Sequence, residues 1–379
     1  MRIVFITNNY TPYKGGVVSS INAIVQELQE QGHELTVITL DFLGQTHDDP
    51  SWVKRLYCPL RFSYRTNYMA VPWRATKQII ALLRALKPDM VHVHHPFLLG
   101  VAGYKAARTL HIPVVFTYHT LYEDYAHYVP LPQSFVRWYI QRLVSRFCAR
   151  VGGIIAPSLM IKTRLQQKGV SVPLCVVPSP LQPVFMQDVY PERAERTAIA
   201  LLVVSRMVKE KNIKAVLRVA AALQGKKIPF TLTLIGYGPE YHALQRYAYH
   251  TCKLPKERVQ FVHSPSKAAI AAAYRQADLF LFCSKSGDTQ GLVLAEAMAG
   301  GAPVLAFDGP GQRDIIKQGS NGYIVADEHE MIEKIKILQR DHAELKRLSQ
   351  QAFATAQSYH PSMLVKRLLA FYADGITVR

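Results

Sequence analysis

Two carboxylates, Asp288 and Glu296, bracket Gly291 in a segment that lies between the apolar runs 279–282 and 303–307. Each carboxylate offers two acceptor oxygens, which suits a hydroxyl-rich ligand. The run Leu292 to Met298 consists of helix formers, so Gly291 reads as the helix start, Asp288 as a loop residue before it and Glu296 as a position one to two turns inside. Backbone N–H groups around Gln290, Gly291 and Leu292 would then favour an anion. A plainer reading makes Asp288 a capping residue and Glu296 a surface charge. Against it, Leu294, Ala295, Ala297 and Met298 describe a buried helix, where an ionised group needs a partner.

A second set of residues suits phosphate. Arg206 leaves the end of the apolar run 199–204, and Lys211 lies near the start of the next helical stretch. Two cations at one strand-to-helix turn can face the same diphosphate; a solvated basic loop is the alternative. Gly238 closes a Gly236-x-Gly238 turn that has the start of a dinucleotide fingerprint, but Tyr241 stands where the third glycine belongs, which disfavours NAD. Neither a Walker A sequence nor two aspartates with a single residue between them occurs, so a bound diphosphate is expected to be neutralised by side chains and helix ends.

His119 follows the apolar run 114–118 and opens a stretch to Tyr128 rich in tyrosine, histidine and acid, including Tyr122, Glu123, Asp124 and Tyr125. Such a segment suits a polyol or an amphipathic ligand. The cluster His92, His94 and His95 raises the question of zinc, but no further ligand falls at a supporting spacing, and no metal is expected.

These residues must be held by elements that the pattern makes plain. Short apolar runs at 2–7, 34–40, 90–94, 114–118, 153–156 and 174–177 alternate with stretches of helical period, as βα units of a parallel sheet do. A second series follows at 199–204, 231–235, 259–262, 279–282 and 303–307. Between them, Pro178, Pro180, Pro183 and the polar stretch 187–193 mark a linker. The fold class is therefore α/β, with two doubly wound domains and a ligand where strand C-termini converge.

A length of 379 residues allows two domains, and 49% hydrophobic with 19% charged residues is a globular composition. Five widely spaced cysteines indicate neither a disulfide framework nor a zinc ribbon. No signal peptide or 18-residue apolar run is visible, which sets the expectation of a cytoplasmic chain without a membrane span. The net charge of +18 is uneven: residues 51–187 hold 17 Lys and Arg against 3 Asp and Glu. Nucleic acid, an anionic membrane and small phosphorylated ligands are the natural partners of such charge. The stretch 133–150 places Arg137, Arg142 and Arg146 among Phe135, Trp138 and Tyr139. It reads either as an interfacial anchor or as a helix packed on its own sheet.

Taken together, Gly15-Gly16 in the first loop, His119, Arg206 with Lys211, the Gly236-x-Gly238 turn, and the carboxylate pair before Gly301-x-Pro303-Val304 resemble the retaining glycosyltransferases of family four. The resemblance covers essentially the whole chain. It implies two facing Rossmann-like domains, the GT-B fold. The acceptor and membrane-binding domain would span 1–180, with 360–379 packing back on it, and the nucleotide-sugar-binding domain 181–359. Within the family, 117–128 and Asp288 to Gly291 look like the diacylglycerol glucosyltransferases, although Asp288 stands where the family usually has Glu.

The resemblance implies transfer of glucose from a nucleotide-sugar, UDP-glucose favoured, to 1,2-diacylglycerol with retention, giving α-monoglucosyl diacylglycerol. Arg206, Lys211, Gly238, the backbone at Gly16 and the turn at Gly291 and Leu292 would hold the diphosphate, and Glu296 the ribose. Asp288, Gln290 and His119 would hold the sugar, with the departing phosphate accepting the acceptor's proton. Tyr122, Glu123, Asp124 and Tyr125 would meet the acceptor, and Arg137, Trp138, Arg142 and Arg146 an anionic membrane. No cofactor or metal is implied, no specific nucleic acid, and a peripheral place on the inner face of the plasma membrane. Alternatives are a related enzyme acting on phosphatidylinositol, a sterol or a soluble sugar, a non-catalytic nucleotide-sugar sensor, and a basic nucleic-acid-binding protein.

Overall fold

The computed structural model describes residues 1–379 except 12, 14, 43–48, 65–66, 124–130, 193–194, 285–289, 375 and 377–379. The chain divides into two compact units: unit 1 comprises Met1–Pro180 and Pro361–Arg379, and unit 2 Leu181–His360.

Unit 1 carries β1 (Arg2–Ile6), α1 (Gly16–Glu30), β2 (Glu34–Leu40), β3 (Val53–Leu56), β4 (Leu60–Tyr64), β5 (Asn67–Val71), α2 (Ala75–Leu86), β6 (Met90–Val93), α3 (Leu99–Thr109), β7 (Val114–Thr117), α4 (Gln133–Cys148), β8 (Gly153–Ala156), α5 (Leu159–Gln167) and β9 (Leu174–Val176). Unit 2 carries β10 (Ile199–Val204), α6 (Ile213–Gly225), β11 (Phe230–Gly236), α7 (Tyr241–Arg246), β12 (Val259–His263), α8 (Lys267–Gln276), β13 (Leu279–Phe282), α9 (Leu292–Ala299), β14 (Val304–Phe307), α10 (Pro310–Ile315), β15 (Gly322–Val325), α11 (Glu328–Arg340) and α12 (His342–Gln357). After these, α13 (Pro361–Ala373) returns to unit 1.

The sheet of unit 1 runs β3-β2-β1-β6-β7-β8-β9 and that of unit 2 β12-β11-β10-β13-β14-β15, with every neighbour pair parallel. In each, the strand order reverses beside the first strand: between β1 and β6, and between β10 and β13. Sheets of this kind take their ligands at that switch point, outside the strand C-termini.

Burial on both faces explains why the strands read as continuous apolar runs rather than alternating ones. Every residue of β6, β7, β8, β13 and β14 is buried. Along β1, Ile3 and Phe5 pack with Ile21 and Leu28 of α1 and Leu364 and Leu368 of α13, whereas Val4 and Ile6 pack with Ile79 of α2 and Leu99 of α3. In β10, Leu201 and Val203 meet Val216 of α6 and Ile335 of α11, while Leu202 and Val204 meet Leu294 of α9 and Ala352 of α12.

Three features go beyond the sequence expectation: the edge strands β3 and β15, and the antiparallel hairpin β4–β5. Residues Val53–Leu56 read VKRL, two apolar positions around two cations, too short a pattern to stand out. Among the described residues no helix is long and apolar enough to cross a membrane.

Candidate active site

At the switch point of unit 2 the loops after β10 and β11 run side by side. Ser205 N–H donates to Ile235 O at 3.0 Å and Met207 N–H to Tyr237 O at 2.7 Å. The approach leaves no room for a side chain: a Cβ on Gly236 would stand 1.8 Å from Ser205 O, and one on Gly238 2.5 Å from Met207 O. Arg206 is exposed on this turn. The following single turn, Lys209–Lys211, brings Lys211 Nζ 5.5 Å from the ring centroid of Phe282, the last residue of β13.

The loop after β13 is tied to the same turn. Asn212, in the left-handed region at φ 50, begins α6 and donates from Nδ2 to Cys283 O at 3.5 Å. Ser284 Oγ donates to Glu210 O at 3.4 Å, and buried Gln312 donates from Nε2 to Ser284 O at 2.7 Å. Cations and backbone of both loops are thereby held in a fixed relation.

Asp288 lies outside the described residues. Gln290 is buried, and Gly291 adopts φ 68 as the N-terminal cap of α9, where a Cβ would come within 3.0 Å of Leu294 Cδ1. Leu294 N–H closes the first turn on Gly291 O at 2.8 Å, and no side chain caps the helix. The N–H groups of Leu292 and Val293 precede that bond, so this end carries the partial positive charge that favours phosphate.

Glu296 is half-buried on α9, among fully buried Leu294, Ala295, Ala297 and Met298. The Tyr274 hydroxyl, from α8, donates to its Oε2 at 2.9 Å. Burial pushes the Glu296 carboxyl up to about 7, while the Tyr274 bond and the charge of Lys267 pull it down. Tyr274 is 1% exposed and packs against Phe280 and Phe185. It supplies the partner that a carboxylate in this helix requires, and nothing in the sequence points to it, because it lies among alanines on another helix. A carboxylate fixed through one oxygen can present the other to ligand hydroxyls.

In unit 1, Gly16 is the first residue of α1, whose N-terminus has no side-chain cap. His119 follows β7 and belongs to a column of imidazoles: His92 stacks on His94 at 4.3 Å between centroids, and His94 on His119 at 5.2 Å. His92 is held at both nitrogens, Nδ1 by Tyr372 Oη of α13 and Nε2 by Thr117 Oγ1, each at 2.6 Å. This buried histidine is a packing and hydrogen-bonding element. Among the described residues no group of three or more His, Cys, Asp or Glu side chains is arranged to hold a metal ion.

Burial holds all four histidines neutral, with His92 down to about 3, His95 down to about 4, and His94 and His119 well below the ordinary imidazole value. His94 Nε2 is buried with no hydrogen-bond partner among the described residues. A bare lone pair is cheaper to bury than an orphaned N–H. The proton therefore sits on His94 Nδ1 and is donated to His119 Nε2 at 2.9 Å. His119 then carries its own proton on Nδ1 and is a hydrogen-bond donor without charge.

Asp124 and Tyr125 lie outside the described residues. Tyr122 is 9% exposed. Glu123 is 5% exposed and accepts from Arg164 and Lys168, each at 2.7 Å. Both cations meet the same oxygen, Oε1, so Glu123 is held in place by an ion-paired cluster that the sequence reading did not include.

Helix α4 buries Val136, Val144, Phe147 and Cys148. On its open side Phe135, Trp138 and Tyr139 are about half exposed, at 54%, 55% and 49%. Arg137, Arg142 and Arg146 are exposed as well, with Arg142 5.6 Å from the Trp138 ring centroid. The helix thus has two apolar stripes, one toward the core and one toward solvent, the second rimmed by guanidinium groups.

Residues 14–183 match the model of Glycosyltransferase Family 4, and residues 191–355 that of Glycosyl transferases group 1. An alpha-monoglucosyldiacylglycerol synthase of Streptococcus pneumoniae is 30% identical over 342 residues, covering 87% of this chain and 76% of that protein. A protein of the same name from Acholeplasma laidlawii is 24% identical over 99% of this chain and 98% of its own length. Among solved structures, Anabaena Alr3699/HepE in complex with UDP superposes with a TM-score of 0.77 at 16% identity, over 99% of this chain and 100% of that one. That likeness is one of fold.

Proposed function

This chain belongs to the family 4 glycosyltransferases of GT-B fold, and on that premise we propose that it transfers glucose from UDP-glucose to 1,2-diacylglycerol, giving α-monoglucosyl diacylglycerol. The observation that carries the reading is the combination at one switch point of an uncapped helix N-terminus, two cations, and a carboxylate anchored by a hydroxyl. These are the parts a nucleoside diphosphate-sugar needs: Arg206, Lys211 and the start of α9 for the diphosphate, and Glu296 for the ribose. The lipid acceptor is supported by the names of the Streptococcus and Acholeplasma relatives and by the exposed aromatic and arginine stripe of α4.

In this reading the leaving diphosphate is stabilised by fixed cations and backbone N–H groups, without a metal. In unit 2, Gln290 and Asp288 are the residues assigned to the sugar. A neutral donor such as His119 orients a sugar hydroxyl without repelling positive charge that develops at the anomeric carbon. The departing phosphate accepts the proton of the incoming hydroxyl, so configuration is retained. Membrane contact through α4 would make the enzyme peripheral, and the inner face of the plasma membrane is the side proposed for it.

The test is transfer from radiolabelled UDP-glucose to diacylglycerol in mixed vesicles, with and without anionic lipid and with EDTA, followed by α- or β-glucosidase digestion of the product. Chelator-resistant glucolipid cleaved only by α-glucosidase is expected. Product formed only from GDP-mannose, or only on phosphatidylinositol, would overturn the donor or the acceptor; loss of product in EDTA would overturn the metal-free step.

A further inference from the structure

The hairpin β4–β5 presents an apolar face that the protein itself leaves uncovered. Its register pairs Leu60 with Val71 and Phe62 with Met69, which puts these four side chains on one face. All are exposed, at 56%, 45%, 39% and 46% respectively. On the other face Ala70, opposite Arg61, is buried in the core with Ile79 and Leu83 of α2. At the base, Tyr57 and Trp73 are 61% and 60% exposed, and Trp73 N–H donates to Tyr57 O at 3.3 Å.

The hairpin is braced in this position. Gln78 of α2 accepts from Tyr57 N–H at 2.9 Å and donates to Trp73 O at 2.6 Å. Arg74 holds a left-handed φ of 48 at the start of α2, and its guanidinium lies 5.7 Å from the Trp73 ring centroid. A braced apolar face left open to water in this way marks an interaction surface.

Charge decides what covers it. Residues 51–88 contain eight Lys and Arg and no Asp or Glu. Arg55 and Arg61 are paired with Asp49 and Asp41, and the others remain as an excess. A second copy of this face would bring like charges together, whereas an anionic bilayer offers both phosphate and hydrocarbon. Tryptophan and tyrosine flanking aliphatic residues suit the headgroup boundary. The hairpin leaves the C-terminal end of β3, and the aromatic half of α4 follows the C-terminal end of β7, so both elements issue from one edge of the same parallel sheet.

We propose that the outer face of β4–β5, flanked by Tyr57 and Trp73, inserts shallowly into an anionic membrane as a second attachment, separate from α4. It rests on the reading of this chain as a membrane-surface enzyme. Two attachments at one sheet edge fix the orientation of unit 1 as well as its distance from the bilayer, which a single helix lying in the surface does not.

The chain has three tryptophans, Trp52, Trp73 and Trp138, which allows each element to be read separately. Trp52→Phe/Trp138→Phe leaves Trp73 as reporter, and Trp52→Phe/Trp73→Phe leaves Trp138. Added phosphatidylglycerol vesicles should blue-shift Trp73 emission and expose it to lipids brominated near the headgroup end of the chain. In the otherwise natural chain, Leu60→Ser/Trp73→Ser should lower vesicle partition about tenfold while leaving UDP affinity unchanged. Response of the Trp138 reporter with a silent Trp73 would overturn the proposal and keep the membrane reading; silence of both would overturn the two together. Concentration-dependent dimerisation abolished by Leu60→Ser/Trp73→Ser would reassign the face to a second copy and equally overturn it.

Discussion

The Tyr274 hydroxyl and the Glu296 carboxylate, on α8 and α9, are joined by a hydrogen bond of 2.9 Å, the contact that orients the one half-buried acid of its helix. Tyr274→Phe keeps the ring packing against Phe280 and removes only the donor. A hydrogen bond to a charged group is worth about 1.5–3 kcal/mol. The donor KM should therefore rise about ten- to hundredfold with kcat nearly constant, measured by initial rates at saturating acceptor. An unchanged KM would mean that Glu296 does not touch the donor.

Protonation of Glu296 gives a second, opposed pair of signatures. Its carboxyl is raised in the fold to about 7, so folding favours the proton, and stability declines as pH rises from the ordinary glutamate range through about 7, then levels. Glu296→Gln should flatten that decline in thermal melts. On the proposed ribose contact donor affinity should move the other way, because an ionised carboxylate is the better acceptor for hydroxyls: Kd for UDP-glucose should tighten about tenfold per pH unit up to about 7 and then hold. Calorimetry between pH 5.5 and 8 checks both the slope and its loss in Glu296→Gln.

The imidazole column predicts a split between chemistry and stability. His119→Ala should lower kcat by about 10²–10³-fold with little change in donor Kd. Tyr372→Phe leaves His92 Nδ1 without its partner and should cost about 1–3 kcal/mol of stability, read by denaturant unfolding. Nitrogen-15 NMR of the histidines should find His94 and His119 each protonated at Nδ1 and neutral at pH 6. A charged His119 there would remove the assigned role.

Glu123 is a predicted weak point in acid. Burial raises its carboxyl, but the Lys168 hydrogen bond and the charges of Lys168 and Arg164 outweigh that and hold it below the ordinary value. Its contribution is thus present above the usual glutamate range and lost as pH falls through the lowered value. The two cations are 37% and 30% exposed at their side chains, so solvent screens them and Glu123→Gln should cost only about 1–2 kcal/mol. Thermal melts at pH 7 and pH 4 should show that difference shrinking in acid.

Charge reversal on α4 should separate membrane attachment from donor binding. Arg142→Glu/Arg146→Glu should weaken binding to anionic vesicles by about 1 kcal/mol per residue at low salt, on the scale of one surface cation. Affinity for UDP should stay the same. Flotation and calorimetry on one preparation give both values.

The apolar runs carried the fold because strands buried on both faces cannot alternate, and β6, β7, β8, β13 and β14 are buried throughout. The same logic hid β3, a four-residue edge strand with two cations, and the hairpin, whose outer face is apolar yet exposed. Arg206, Lys211 and His119 were legible as candidates through one rule, that ligands meet strand C-termini at a switch point, and Glu296 through another, that an acid in a buried helix needs a partner. Their supports were not: Tyr274 stands 22 residues before Glu296 and Tyr372 stands 280 residues after His92. The ion pairs of Glu123 were hidden for a related reason, since Arg164 of α5 and Lys168 just after it stand 41 and 45 positions away.

Helix α13 belongs to unit 1 although all of unit 2 precedes it in the chain. During synthesis the sheet of unit 1 must therefore wait, with Phe5 and His92 uncovered on one side, until Leu364, Leu368 and Tyr372 have left the ribosome. The Tyr372 bond to buried His92, and with it the closure of that side of the sheet, therefore forms only after unit 2 has been made.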